Sequence, residues 1–482
     1  MMIFSKLSIA FVLFICVNFV FAQNPQVIEQ KIDSIFASYN SHTPGAAVAV
    51  VKDGKIVFMK GYGMANLSYD IPITPQTVFN IASVSKQFTA FAIYLLENEG
   101  KLSFEDDVRK YIPELPDYDT TIKIKHLLGH TSGLADHGAL ASIAGTYINA
   151  DFNNTELNLK ILSKHNTLNF VPGSMFGYCN SNYTLLAEII HRVTGKTFSE
   201  FTKEKIFIPL GMTNTQFSDN FQKVVKNLAE SYELENNSYF IKPLVESNPG
   251  PSNLLTTVED LCKWVLNFEK PIVGNSQLIK AFNEPSYLDN GNKVILRVTE
   301  NDTIFHAKGQ NVSKLKGNYL GHGGHTAGFR TFLGRYPDHR LSIIQLSNDE
   351  HNENLGGRWD IADFYIKTPP VQNIQPTVTI PNNIQAKAPT PNYTVGLEEF
   401  TGKYFNEALE TNYHFEVKDN KLLMKNSRLS DITLKRVGDT KFTGYGSYTF
   451  PFEIDFLNNK KGEITGFKIS NWGVKNVVFE RK

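Results

Sequence analysis

The sequence predicts an α+β fold for its longer N-terminal part and a small all-β barrel at its C-terminal end. Three observations carry this reading. Strand patterns stand at both ends of the first part, at residues 47–52 and 55–60 and again at 330–336 and 341–346, with helical patterns between them. A sheet made from both ends of a domain, with helices inserted, is α+β in character. From Thr368 to Pro391 six prolines fall among polar residues without periodicity, which marks an extended linker. Beyond it come short alternating runs: Tyr413, Phe415 and Val417; Leu422 and Met424; Phe450, Phe452, Ile454 and Phe456; Ile464, Phe467 and Ile469; Val477 and Phe479. Such a series reads as a barrel of short strands.

At 482 residues the chain is long enough for two domains, and its 41% hydrophobic and 20% charged content is that of a globular protein. Lys plus Arg balances Asp plus Glu at 48 each, so nucleic-acid binding has no electrostatic support. Residues 1–22 read as a signal peptide, with Lys6, an apolar run from Leu7 to Phe21, and Val20-Phe21-Ala22 before Gln23 as the cleavage site. The run is short for a membrane span, which needs about 20 residues, so no stable membrane anchor is expected after cleavage. Cleavage leaves Cys179 and Cys262, read as free thiols. His126 and His130 are four apart, but no glutamate of a metalloprotease helix lies between them. They are taken as structural, and no metal site is expected.

The elements follow in order. Pro25 opens a helix with Ile28, Ile32, Ile35, Phe36 and Tyr39 on one stripe. Asp53-Gly54 between two apolar runs is a hairpin signal, so an antiparallel sheet starts here. Val84, Phe88, Phe91 and Leu95 recur at helical spacing before Gly100, which predicts an amphipathic helix with a glycine stop. The small-residue stretch Gly129-His130-Thr131-Ser132-Gly133 ends a short helix and is assigned a structural role. Tyr178 and Asn180 fall on an irregular segment before a helix through Leu185, Leu186, Ile189 and Val193, stopped at Gly195. Thr256 with Glu259 reads as a capping box for the helix that holds Cys262 and Trp264. His322-Gly323-Gly324 leads into the late strand pair, which turns at Pro337-Asp338-His339-Arg340.

Ser83 and Lys86 carry the chemistry. Three residues on a helix mean roughly 60° of rotation and about 4.5 Å of rise, so the amine folds back to the hydroxyl while Ser85 points elsewhere. A serine opening a helix also has unpaired backbone N–H groups nearby to meet a developing oxyanion. Alone, Ser-x-x-Lys is short and common, and a serine at a helix start serves equally as a cap.

The company it keeps is what matters. Ser83-Val84-Ser85-Lys86, Tyr178-Cys179-Asn180 and His322-Gly323-Gly324, in this order, resemble the serine β-lactamase and penicillin-binding-protein superfamily, closest to its class C β-lactamase, DD-peptidase and esterase branch. The resemblance covers roughly residues 24–366, leaving 367–395 as linker, and residues 396–482 resemble the lipocalin-like domain often appended to such hydrolases. It implies a β-lactamase/DD-peptidase-like sheet with helices. Ser83 would be the acylated nucleophile, Lys86 the neighbour that helps deprotonate it, and Tyr178 its partner in proton transfer. Asn180 would orient Lys86 and the substrate amide. The backbone N–H of His325, with that of Ser83, would form the oxyanion hole.

One motif departs from the β-lactamase pattern, in which a Lys-Thr-Gly triplet lines the site. His322 stands for the lysine and Gly323 for the hydroxyl residue, while Gly324 leaves the backbone open to an added strand. Weak β-lactamase activity at best is expected, with hydrolysis of esters or amides, including D-amino-acid peptides, favoured. If His322 must be protonated to bind an anionic substrate, affinity should fall between about pH 6 and 8. The segment Gly250-Pro251-Ser252-Asn253 departs too from the glycine-rich turn of many relatives, with an unknown effect on the pocket.

The sequence thus describes an exported serine hydrolase, periplasmic or secreted, that needs no cofactor and takes a small-molecule or peptide substrate. The barrel is expected to close over the active site or set orientation, with a ligand-binding interior as the alternative. The rival reading is a non-catalytic protein that binds or senses cell-wall peptides or β-lactams. A pure binder has no need of a nucleophile and two proton-transfer groups.

Overall fold

A computed structural model describes residues 25–145, 153–314, 316–352, 357–366, 393–445 and 451–482. The expected signal peptide and nearly all of the proline-rich stretch 367–395 lie outside the described residues.

The first part is built on an eight-stranded antiparallel sheet. Its strands are β1 (Ala46–Lys52), β2 (Lys55–Tyr62), β3 (Ile295–Val298), β4 (Thr303–Ala307), β5 (Gln310–Ser313), β6 (Tyr319–Thr326), β7 (Phe329–Tyr336) and β8 (Leu341–Ser347). They lie in the order β3-β4-β5-β6-β7-β8-β1-β2, so the chain returns after a long helical excursion to pair β8 with β1, Ala46 opposite Ser347. Asp53 and Gly54 both take positive φ, +51° and +76°, as a tight hairpin turn between β1 and β2 demands. The fold class expected from the sequence is the one observed.

Helix α1 (Pro25–Ile35) covers one face of this sheet with α7 (Arg358–Tyr365), through Ile28, Ile32, Ile361 and Ala362. On the other face lie α2 (Lys86–Asn98), α3 (Ile124–Leu128), α4 (His137–Ile143), α5 (Asn180–Thr194) and α6 (Val258–Asn267). Helix α2 is not the one-sided element that its apolar spacing suggested. Every residue from Lys86 to Tyr94 is buried, because α5, α6 and the helix Ser276–Asn283 pack around it. Trp264 of α6 stacks on Phe88 at 4.2 Å and meets Phe91 edge-on at 5.1 Å, locking α2 in place.

The capping box expected at Thr256 with Glu259 does not form, and a single cap from the next residue takes its place. Thr256 ends a short strand and bonds Thr215 Oγ1 at 2.6 Å, while Thr257 accepts from the Asp260 N–H and caps α6. The His322 motif also differs from expectation. It lies inside a strand of its own, β6, which turns back into β7 at Ala327-Gly328.

The C-terminal part is a nine-stranded antiparallel sheet that closes nearly into a barrel. Its strands are β9 (Gly402–Asn406), β10 (Thr411–Lys418), β11 (Lys421–Asn426), β12 (Leu429–Thr433), β13 (Lys435–Arg436), β14 (Lys441–Tyr445), β15 (Pro451–Asn458), β16 (Ile464–Ser470) and β17 (Val477–Arg481). Tyr404, Phe415, Phe456, Phe467 and Phe479 fill its interior, which leaves a packed core.

Candidate active site

Ser83 sits on a 3-10 turn, Ala82–Ser85, that runs straight into α2. Ala82 takes a positive φ of +47°, unfavourable for a residue with a Cβ, and its surroundings hold it there. Asn80 Oδ1 accepts from the Ala82 N–H at 2.8 Å, and Thr331 Oγ1 donates to the Ile81 carbonyl at 2.9 Å. The strain lies beside the residue expected to react.

Four side chains from two separate stretches, Ser83 and Lys86 with Tyr178 and Asn180, meet here, and a third stretch adds a backbone carbonyl. Ser83 Oγ lies 2.9 Å from Tyr178 Oη and 3.1 Å from Lys86 Nζ. The buried Lys86 donates also to Asn180 Oδ1 at 2.9 Å and to the Pro251 carbonyl at 2.7 Å, so its three N–H bonds have three acceptors. The Tyr178 and Tyr183 rings stand 5.0 and 5.6 Å from the amine. Ser85 points away and accepts from the Leu254 N–H, as its place on the helix required. Gly250-Pro251, whose effect was unknown, supplies an acceptor for the lysine and, through the Gly250 carbonyl, for Thr89.

Strand β6 forms the facing wall. Strand β5 pairs with it only at Tyr319–Gly321, so among the described residues its edge at His322–Gly324 has strand pairing on the β7 side alone. A cavity of about 740 Å³ runs along that edge and is lined by Ser83, Tyr178, His322, Gly323, Gly324 and His325, with Arg297 and Arg358 further out. Gly324 is needed as glycine, since a Cβ there would run into Thr331 Oγ1 and the Ile81 carbonyl. Ser83 and His325, the expected oxyanion pair, thus open on one cavity.

His322 lies against Tyr178, with ring centroids 6.4 Å apart, and its Nδ1 faces the Gly323 carbonyl. Desolvation, with the Lys86 charge adding to it, pushes its pKa down to about 4. The ring is a neutral imidazole from pH 6 to 8. The pH window in which a protonated His322 was to control anionic substrates is therefore corrected downward.

Sequence reasoning missed two neighbours. His130, assigned a structural role, packs its ring tilted against Tyr178 with centroids 4.5 Å apart and accepts at Nδ1 from the Cys179 N–H and from Asn182 Nδ2, both at 3.2 Å. Burial, His306 and Lys86 hold its pKa well below the usual value, so Nδ1 stays an acceptor and the ring shapes the Tyr178–Asn180 loop. Glu246, bonded by Asn153 Nδ2 at 3.2 Å, is raised by burial to a pKa of about 7 against the opposing pull of Lys86. No local spacing announces either residue, because tertiary folding alone brings them to the lysine. Cys179 and Cys262 are buried free thiols, both pushed up to about 12 by burial. Among the described residues, no group of three or more His, Cys, Asp or Glu side chains is arranged to hold a metal ion.

Comparison with known proteins identifies the family. The chain is 29% identical over 333 residues to a penicillin-binding protein of Bacillus subtilis, covering 64% of this chain and 69% of that protein. It is 34% identical over 245 residues to protein flp of Staphylococcus aureus, of which the match spans only 48%. The octameric penicillin-binding protein homologue of Pyrococcus abyssi superposes with a TM-score of 0.60 at 20% identity, covering 94% of this chain and 99% of that one. The model of the Beta-lactamase family matches residues 26–365, the whole span that holds the sheet, its helices and the serine. The chain belongs to the Beta-lactamase family, within the serine β-lactamase and penicillin-binding-protein superfamily.

Proposed function

We propose that this protein is an exported serine hydrolase that cleaves ester or amide bonds through an acyl-enzyme on Ser83. The observation that carries the reading is the contact of one hydroxyl with two proton-transfer groups, Tyr178 Oη at 2.9 Å and Lys86 Nζ at 3.1 Å. Ser83 Oγ attacks the substrate carbonyl while its proton passes into the Tyr178–Lys86 pair. The N–H groups of Ser83 and His325 take the developing oxyanion. The carbonyl re-forms, the bond to the leaving group breaks, and the leaving group takes the proton from the pair. Water then attacks the acyl carbon as its proton passes to the Tyr178–Lys86 pair, the bond between Ser83 Oγ and the acyl carbon breaks, and Ser83 Oγ takes that proton from the pair as the acid leaves.

The substrate class follows from the cleft wall. A neutral His322 and a bare Gly323 stand where a lysine and a hydroxyl would bind a β-lactam carboxylate, so esters and D-amino-acid peptides are favoured over lactams. The open edge of β6 supports extended substrates that bind as an added strand. The pattern at residues 1–22 supports a periplasmic or secreted location.

The test is intact-protein mass after exposure to a fluorophosphonate, a penicillin, a cephalosporin and an activated ester, for wild type and Ser83→Ala. The expected result is a Ser83-dependent adduct with turnover of the ester and little turnover of the lactams. Rapid lactam turnover would make the protein a β-lactamase. No adduct and no turnover would leave a binder of cell-wall peptides or β-lactams.

A further inference from the structure

Helix α4 lies between the barrel and the active site, and the barrel holds both of its ends. At the C-terminal end, Tyr413 Oη of β10 donates to the Ile143 carbonyl at 2.7 Å and Thr411 Oγ1 to the Ala144 carbonyl at 3.2 Å. These are carbonyls that a last helical turn leaves without internal partners. At the N-terminal end docks the turn between β16 and β17. Its Gly473 carbonyl accepts from the Asp136 N–H at 2.9 Å and from Asn169 Nδ2 at 3.1 Å, and its Lys475 N–H donates to Asn169 Oδ1 at 2.8 Å. The approach requires glycine, since a Cβ at position 473 would stand 2.8 Å from both Asp136 Cβ and Ala139 Cβ. Val474 is fully buried, and one apolar core runs unbroken from α4 into the barrel.

Asp136, itself fully buried, joins this dock to the catalytic groups. Its Oδ1 accepts from the Gly138 and Ala139 N–H groups and caps α4, while its Oδ2 accepts from the Asn180 N–H at 2.6 Å. Asn180 is the first residue of α5, a helix that Cys179 does not cap with its side chain. One carboxylate therefore serves the N-termini of two helices, where a negative charge is stabilised by both.

We propose that the C-terminal barrel is an internal positioning module for the active site, and that Asp136 is the positioning residue through which it acts. From Gly473 the line runs through Asp136 to Asn180, from Asn180 to Lys86, and from Lys86 to Ser83, by hydrogen bonds of 2.9, 2.6, 2.9 and 3.1 Å. Among the described residues, the barrel reaches the nucleophile without lining the catalytic cavity. The inference rests on the serine hydrolase reading for its kinetic consequence but not for its mechanical one.

The experiment uses the full chain carrying Gly473→Val, with Asn471→Ala as a second variant that loses the bond to the Ala139 carbonyl should the first fail to fold. Lys475→Ala is the control, because its side chain is exposed and only its backbone takes part in the dock. Two quantities are measured: the rate of Ser83 acylation by an activated ester, and deuterium exchange at the amides of residues 179–183. The expected result is an acylation rate about 10- to 100-fold lower, on the scale of a catalytic group displaced by about 1 Å, with KM changed far less. Faster exchange at 179–183 accompanies it, and the control is unaltered. Wild-type acylation and wild-type exchange in a folded variant overturn the proposal, and slower acylation without faster exchange overturns the route through Asp136. A wild-type chain that shows no Ser83-dependent acylation fails the hydrolase reading instead. Exchange then decides the mechanical link alone, faster exchange in the variant supporting it and unchanged exchange overturning it.

Discussion

His322 shows how one residue's surroundings decide its chemistry. With its pKa pushed to about 4 by desolvation and Lys86, it holds no charge across the neutral range. KM for an anionic ester should therefore stay flat from pH 6 to 8 in steady-state assays, and a rise across that range would show a protonated His322 at work. His130 makes a second case. Replacing it with Phe removes the acceptor of the Cys179 N–H and Asn182 Nδ2 bonds and leaves both donors buried. We expect His130→Phe to lose about 1–3 kcal/mol of stability in urea unfolding and to slow acylation by loosening the Tyr178 loop. Ser83, Lys86, Tyr178 and Asn180 were legible in the sequence because their spacing within short stretches is itself the signal. His130, Glu246 and Pro251 were not, because their roles exist only where distant stretches touch.

Among the elements, β6 and the turn that bears Ser83 are fitted to each other. Gly324 lies against Ile81 and Ala82, so Gly324→Val must push strand and turn apart. The expected outcome is a loss of about 1–3 kcal/mol in urea unfolding, as for other overpacked sites, together with slower acylation. At α6 the structure names the cap. Thr257→Ala should cost about 1 kcal/mol in the same measurement through loss of its bond to the Asp260 N–H. The sequence placed that cap one residue early because Thr256 and Thr257 are adjacent and Glu259 completes a plausible box with the first. The strand pairing of Thr256 is a long-range fact that removes it from the helix. The hairpin at Asp53-Gly54 was legible for the opposite reason, since a tight turn is written in two neighbouring residues.

Across the whole molecule, the buried histidines share one direction. The buried His126, His130, His137, His165 and His306, with the partly exposed His322 of the cleft, all have pKa values lowered by desolvation, those of His165, His306 and His322 to about 4, 3 and 4. Each takes up its proton more readily in the unfolded chain. As pH falls below about 6.5 the unfolded state gains protons that the folded state refuses, so stability drops until the folded values are passed. Thermal unfolding should therefore shift to lower temperature between pH 7 and pH 5, and His306→Phe should weaken that shift. An unchanged profile in the variant would remove His306 from the account. The α+β architecture itself was legible from its strand patterns at both ends, whereas the grip of the barrel on α4 was not, since its bonds join residues that lie far apart in the sequence and no local spacing announces them. The same architecture sets a timetable for the chain's own making. Strand β1 must wait for β8, with Ala46 facing Ser347, so a ribosome delivers nearly the whole domain before the β1–β2 hairpin can join the rest of its sheet. Assembly is then a late and collective event with a long search behind it, and a nascent chain stopped short of Ser347 exposes a bare strand flank to proteases and to its neighbours.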